Sequence, residues 1–160
     1  MSKHITTAGE RLEILSQYRN IAMVGLSSNQ FRPSHFAAIY LLAEGYNVIP
    51  VNPRESEILG RKCYPSVTAA AAECAIEVVD VFRASKDVPP IADEAITIGA
   101  KVLWMQLSVR NEAAAQKAVD AGLDVVQDRC MKIEHARFFG GLNLIGLNTG
   151  IVSARPIRRR

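Results

Sequence analysis

Cysteine is scarce in this chain of 160 residues, with Cys63, Cys74 and Cys130 as its three thiols. They are too few, odd in number and too far apart for a disulfide framework, and no C-x-x-C pair offers the spacing of a structural zinc site. Such usage predicts a reducing, cytoplasmic setting. Long apolar runs are also missing. No window approaches the roughly 18 consecutive apolar residues of a membrane span, and Met1 to Glu10 lacks the apolar stretch of a secretory leader. The expectation is a soluble, unprocessed chain with no membrane partner. Histidine shows no metal-ligand spacing: His4 falls in a terminus read as loose, His35 at a helix start and His135 near a helix end. A G-x-S-x-G elbow and a Walker phosphate loop are absent as well. With no catalytic constellation visible, the sequence leans away from an enzyme.

What is present is apolar residue in quantity. Apolar residues make up 49% of the chain and the mean hydropathy is +0.07. A single domain of this size buries roughly 68–70% of its unfolded surface. No repeat or linker divides the chain. The net charge is +3, yet Arg155, Arg158, Arg159 and Arg160 all fall in the last six residues. Without those four, 15 basic residues face 16 acidic ones and the body carries −1. The basic balance belongs to the tail, so the body is not expected to bind nucleic acid.

Short apolar runs mark strands at Ile21 to Gly25, Val48 to Val51, Glu77 to Phe82, Val102 to Leu107, and Val125 with Val126. They begin about 23 to 29 residues apart, room for one helix per gap, as parallel crossovers require. Runs apolar on both faces are how buried parallel strands read. Between them, Phe36, Ile39, Tyr40 and Ala43 share a helical face, as do Ile91, Ala95 and Ile98, and Ala114, Ala118 and Ala121. Gly45, Gly99 and Gly122 stop these helices. Thr7-Ala8-Gly9-Glu10 has the capping-box pattern and predicts a helix ahead of the first strand. Ser66 to Cys74 favours helix by propensity but shows no polar stripe. The alternation predicts an α/β fold: an open, doubly wound parallel sheet of about five strands, layered α/β/α, with its ligand crevice at the carboxyl ends of the strands. From Phe139 the grammar turns glycine-rich and aperiodic, so residues 1–138 read as the domain and residues 139–160 as an extension ending in the arginine tail.

The chemistry is therefore sought in loops that follow strands. The first is Gly25-Leu26-Ser27-Ser28-Asn29-Gln30-Phe31-Arg32-Pro33-Ser34, with Pro33 suited to the first position of a helix. Backbone N–H groups at a helix start, beside Ser27, Ser28, Ser34 and Arg32, suit phosphate; an ordinary polar turn is the other reading. G-x-G-x-x-G is not met, because Ser27 and Gln30 hold the second and third glycine positions. After the second strand comes Val51-Asn52-Pro53-Arg54, with arginine where NAD enzymes place a carboxylate. That exchange favours a ligand with an extra ribose phosphate, such as NADP or coenzyme A, unless Arg54 is a solvated turn residue. After the third strand, Phe82 is read either as a wall for an adenine ring or as core, and Arg83 as a phosphate partner. Trp104 and Met105 read as core, and Asp80, inside an apolar run, needs a hydrogen-bonding partner. Cys130 has cationic neighbours able to lower its pKa, but reads more readily as buried and inert.

Five ordered stretches resemble one family: Val24-Gly25-Leu26-Ser27 with Arg32-Pro33-Ser34, Val48 to Pro53, Leu59 to Ser66, Val79 to Arg83, and Asp128 to Lys132. They are similar to the small stand-alone CoA-binding proteins, a family akin to the CoA-binding domain of the succinyl-CoA synthetase α subunit. The resemblance implies a Rossmann-like domain that binds coenzyme A or an acyl-CoA without catalysis of its own. It places Gly25, Ser27, Ser28, Arg32, Pro33 and Ser34 around the pyrophosphate. It puts Asn52, Pro53 and Arg54 beside the adenosine and its 3′-phosphate, and Phe82, Arg83 and Ala84 along the nucleotide pocket. The synthetase's phosphohistidine domain has no counterpart here. The alternatives are a small NADP-linked oxidoreductase and a nucleotide-sensing adaptor that docks on an acidic partner or nucleic acid through its arginine tail; a protein partner or a homo-oligomer is compatible with any of these readings.

Overall fold

The structure, a computed structural model, describes residues 1–140. The first helix, α1 (Ala8–Gln17), begins as predicted: the Thr7 hydroxyl accepts from the Glu10 N–H, and the Glu10 carboxylate takes the Thr7 N–H in return. Five strands follow in one parallel sheet: β1 (Asn20–Val24), β2 (Asn47–Val51), β5 (Val78–Val81), β6 (Val102–Met105) and β7 (Asp124–Val126). Their order is β2-β1-β5-β6-β7, which among the five parallel strands alone reads 2-1-3-4-5. The remaining helices are α2 (Pro33–Ala43), α3 (Val67–Ala71), α4 (Val88–Thr97), α5 (Glu112–Asp120) and α6 (Met131–Phe139).

Two apolar clusters form the outer packing. Alternate strand residues such as Ala22, Val79 and Leu103 meet α3, α4 and α5 on one face. Residues of the other parity, including Ile21, Met23 and Trp104, meet α1, α2 and α6 on the opposite face. The chain leaves β1 in one direction through α2, and leaves β5 in the other direction through α4. Placing these helices on opposite faces keeps every crossover the same hand. The predicted doubly wound Rossmann-like α/β/α architecture is what forms. Gly45, Gly99 and Gly122 carry positive φ where the sequence stops its helices.

Four local expectations are corrected. On α2 the buried side chains are Ser34, His35, Ala37, Ala38 and Leu41, while Phe36 and Ile39 are 52% and 48% exposed. The helix is apolar nearly all round, so periodicity picks its bulkiest residues; small Ala37 and Ala38 instead let it approach the sheet. At the end of α5, Ala121 is exposed and Ala115 takes the buried place beside Ala114 and Ala118. His4 is not in a loose terminus. The Ile5 N–H donates to the Val125 carbonyl at 2.8 Å and the Val125 N–H to the Lys3 carbonyl at 3.0 Å, which adds Lys3 to Ile5 to the β7 edge. Lastly, the stretch Leu59 to Ser66 opens with an unpredicted hairpin, β3 (Glu57–Ile58) and β4 (Arg61–Lys62), turned by Leu59 and Gly60 at positive φ. Tyr64 then lies along β2, donating its N–H to the Pro50 carbonyl at 3.0 Å and accepting from the Asn52 N–H at 2.9 Å.

A buried ion pair joins α1 to α6. Arg11 of α1 donates its Nε–H to Glu134 of α6 at 2.9 Å, with side chains 5% and 2% exposed, and its Nη1 to the Thr6 carbonyl at 3.1 Å. Helix α6 runs through Phe139 and is capped by Gly140. The rest of the predicted extension, with the Arg155 to Arg160 tail, lies outside the described residues. Among the described residues, no helix is long and apolar enough to cross a membrane.

Candidate functional site

Strand order reverses between β1 and β5, so their outgoing chains diverge to opposite faces and leave a crevice at their carboxyl ends. Gly25 and Phe82 sit at that fork. The Gly25 N–H donates to the Val51 carbonyl at 2.9 Å and the Phe82 N–H to the Val24 carbonyl at 2.8 Å. Gly25 has φ +87, and a Cβ there would collide with the Phe82 carbonyl oxygen and press on the Arg83 side chain. The two strand ends thus approach more closely than any side chain permits.

A cavity of about 700 Å³ opens beside them. Of the predicted residues it brings together Gly25, Ser27, Arg32, Pro33, Ser34, Phe82 and Arg83. A smaller cavity of about 260 Å³ shares Gly25 and Arg83 and adds Asn52 and Pro53. Ser28, Arg54 and Ala84 line neither cavity. The larger volume suits a small-molecule ligand, since such pockets span roughly 300–1,000 Å³.

The first loop is heavily self-bonded. Ser34 Oγ accepts from the Ser27 N–H at 3.2 Å, His35 Nδ1 meets the Ser27 carbonyl at 2.9 Å, and Ser27 Oγ accepts from the Asn29 N–H at 3.1 Å. This clamps Ser27 onto the first turn of α2 and gives His35 a structural role. The Ser28 N–H is taken by Glu55, whose Oε2 accepts it at 3.1 Å and also accepts from Asn52 Nδ2 at 3.4 Å. Asn52 Nδ2 donates to the Leu26 carbonyl at 3.0 Å and its Oδ1 accepts the Arg54 N–H at 2.9 Å, so Asn52 ties the two loops together. Glu55, which no sequence motif singles out, places a carboxylate on a loop N–H. The charge at the cavity comes from Arg32 and Arg83. Arg32 has no ion-pair partner among the described residues, and Arg83 meets Asp87 at 3.4 Å in an exposed pair of low energy.

The far wall comes from later strands: Gln106, Leu107 and Val109 after β6, and Cys130 and Ile133 at the start of α6. Trp104 and Met105 are buried core, as their apolar run implies. Asp80 is fully buried and finds the partner its position demands: Gln106 donates Nε2–H to Oδ1, while Oδ2 has no hydrogen-bond partner among the described residues. Gln106 Oε1 in turn accepts the Met131 N–H at 3.2 Å, linking β5, β6 and α6. Burial raises the Asp80 carboxyl to about 7, opposed by the Gln106 hydrogen bond. The native state therefore holds this proton better than the unfolded chain. Its contribution to stability is complete below the unfolded pKa near 3.8 and is lost as pH rises through about 7. Asp80→Asn removes this loss, so urea midpoints of the wild type should fall relative to the variant between about pH 4 and pH 8. A difference that stays flat over that range would exclude a protonated Asp80.

The less favoured reading of Cys130, activation by its cationic neighbours, does not arise. Burial pushes its thiol up, and so does the Asp80 charge, while the Ile133 and Lys132 N–H groups and the Lys132 charge act against them. The low polarity of the cavity wall outweighs the basic neighbours.

With the geometry in place, comparison with known proteins decides the family: residues 19–136 match the CoA binding domain. The chain belongs to the CoA-binding domain family. The resemblance read from its five motifs is borne out. Among its relatives, the uncharacterized protein YneT of Bacillus subtilis (strain 168) is 39% identical over 124 residues, covering 78% of this chain and 90% of that one. A hypothetical protein from Pyrococcus horikoshii OT3 superimposes with a TM-score of 0.81 at 44% identity, covering 88% of this chain and 99% of the other. This CoA-binding domain is also similar to part of a dinucleotide forming acetyl-coenzyme A synthetase from Ca. Korarchaeum cryptofilum. That match has a TM-score of 0.61 at 25% identity, covering 71% of this chain and 27% of the synthetase.

Proposed function

We propose that the chain binds coenzyme A or an acyl-CoA in the switch-point crevice and does not turn it over. The observation that carries this reading is the fork at Gly25, where Arg83 borders both cavities and Arg32 lines the larger. A ligand with a charged nucleotide end and an uncharged arm fits such a pair of spaces. In this assignment the loop residues Gly25, Ser27, Ser28, Arg32, Pro33 and Ser34 hold the pyrophosphate. Asn52, Pro53 and Arg54 attend the adenosine with its 3′-phosphate, and Phe82, Arg83 and Ala84 line the nucleotide pocket. The ligand-binding unit is residues 1–138.

Calorimetric titration with CoA, dephospho-CoA and NADP tests the reading. CoA is expected to bind most tightly. Arg32→Ala should weaken it by about tenfold, near 1.4 kcal/mol. Arg54→Ala should narrow the preference for CoA over dephospho-CoA. Heat with NADP alone would replace the reading with an NADP-linked oxidoreductase, and full CoA affinity in both variants would remove the site assignment.

A further inference from the structure

We propose that a third cavity, beside the β7 edge of the sheet, is an anion site that takes the phosphoryl group of a small phosphorylated metabolite. The site is separate from the crevice and does not depend on the CoA reading.

This cavity has a volume of about 320 Å³ and shares no lining residue with the two cavities at the fork. Three guanidinium groups line it from three different elements: Arg11 of α1, Arg110 of the loop after β6, and Arg129 of the loop after β7. A single carboxylate, Glu112, shares the lining with them.

Arg11 sets the site apart from ordinary surface charge. Its side chain is 5% exposed, with Nε given to Glu134 and Nη1 to the Thr6 carbonyl, while Nη2 has no hydrogen-bond partner among the described residues. Glu134 is itself 2% exposed and does not line the cavity. Buried donors in native proteins are nearly always satisfied, so a free Nη2 on a buried side chain that lines a cavity points to an acceptor supplied by a ligand. Arg129 repeats the pattern at the surface. Its N–H donates to the Met105 carbonyl at 3.3 Å and its carbonyl accepts from Trp104 Nε1 at 2.7 Å, yet its guanidinium has no partner among the described residues.

The two arginine-bearing loops are laced into one wall. The Asp128 N–H donates to the Val109 carbonyl at 3.1 Å, and Asp128 Oδ1 accepts the Ser108 N–H at 2.7 Å. Val109 and Cys130 line the crevice, whereas their neighbours Arg110 and Arg129 line the third cavity. Ser108 and Asp128 hold φ of +71 and +56, a costly backbone for residues with a Cβ, retained where the surroundings over-determine it.

The donor set selects the ligand. A carboxylate presents two oxygens in one plane and suits a single guanidinium fork, whereas a phosphoryl group presents three oxygens in three directions and meets donors that arrive from three elements. Ile5 and Val125 leave an apolar part of the lining for the uncharged remainder of the metabolite. Glu112 works against the anion. It accepts from Arg110 Nη2 at 3.1 Å and from Gln127 Nε2 at 3.4 Å, and so occupies a donor that the phosphoryl group would use.

Amide NMR of the full chain, titrated with inorganic phosphate at constant ionic strength, tests the inference residue by residue. Saturable shifts are expected at Thr6, Arg110, Glu112 and Arg129. Arg129→Ala should weaken this binding about tenfold, the loss of one charge-assisted contact, and Glu112→Gln should tighten it at least about threefold. Arg32→Ala should leave it unchanged. Shifts confined to Gly25 to Ser34, shifts that rise linearly without saturating, or an affinity indifferent to Arg129→Ala would overturn the site. Tighter binding of citrate than of phosphate at these same amides would overturn the phosphoryl assignment.

Discussion

Gly25→Ala is expected to destabilise the domain by about 3 kcal/mol or more and to abolish CoA binding. Two costs coincide. Gly25 has φ +87, and an L-residue forced into left-handed backbone loses about 1–2 kcal/mol. The new Cβ also strikes the Phe82 carbonyl oxygen, a backbone atom of a residue whose N–H is tied to the Val24 carbonyl of β1. The strand ends must part, and the crevice is made of those ends. Gly122→Ala serves as the comparison, because Gly122 has φ +104 but no atom within 4 Å of the point where its methyl group would stand. It bears the conformational cost alone, about 1 kcal/mol. Urea unfolding of both variants measures the difference. Equal costs would show that the two strand ends tolerate separation.

Arg11→Ala is expected to cost about 3–5 kcal/mol, the usual result of removing one partner from a buried ion pair. The variant strands Glu134 in the core, with Arg137 Nη1 at 3.7 Å as its remaining ion-pair partner, and also removes the donor to the Thr6 carbonyl. Replacing both partners, as Arg11→Met with Glu134→Leu, should recover most of the loss, since the pair's own desolvation cost disappears with it. Urea midpoints of Arg11→Met, Glu134→Leu and the double variant close the cycle. A double variant no better than Arg11→Ala would mean that the contact contributes more than an apolar pair of similar volume.

Much of this fold is legible in the sequence because parallel strands covered on both faces must be apolar throughout, as Ile21 to Val24 and Val102 to Met105 are. The capping box at Thr7 and the helix stops are readable for a related reason: they depend on neighbours in sequence. Helix α2 shows the limit. Its apolar circumference contains no period to betray which side the sheet will take, and the answer lies in the size of Ala37 and Ala38. The hairpin at Leu59 and Gly60 hides behind a leucine in a left-handed turn. At the site, the near wall of the cavity follows the first loop and can be named residue by residue. The far wall, Gln106 with Cys130 and Ile133, depends on β6 pairing with β5 and on α6 returning to the crevice. Arg11 and Glu134 are 123 positions apart, and neither announces the other.

The two margins of the sheet carry a further meaning. On one side Lys3 to Ile5 occupy the outer ladder of β7. On the other, Tyr64 runs along β2, where Pro50 has no N–H to offer. A foreign strand that sought to extend this sheet would find its hydrogen-bonding positions already filled at both ends. Self-association by strand addition at these two edges is thereby discouraged.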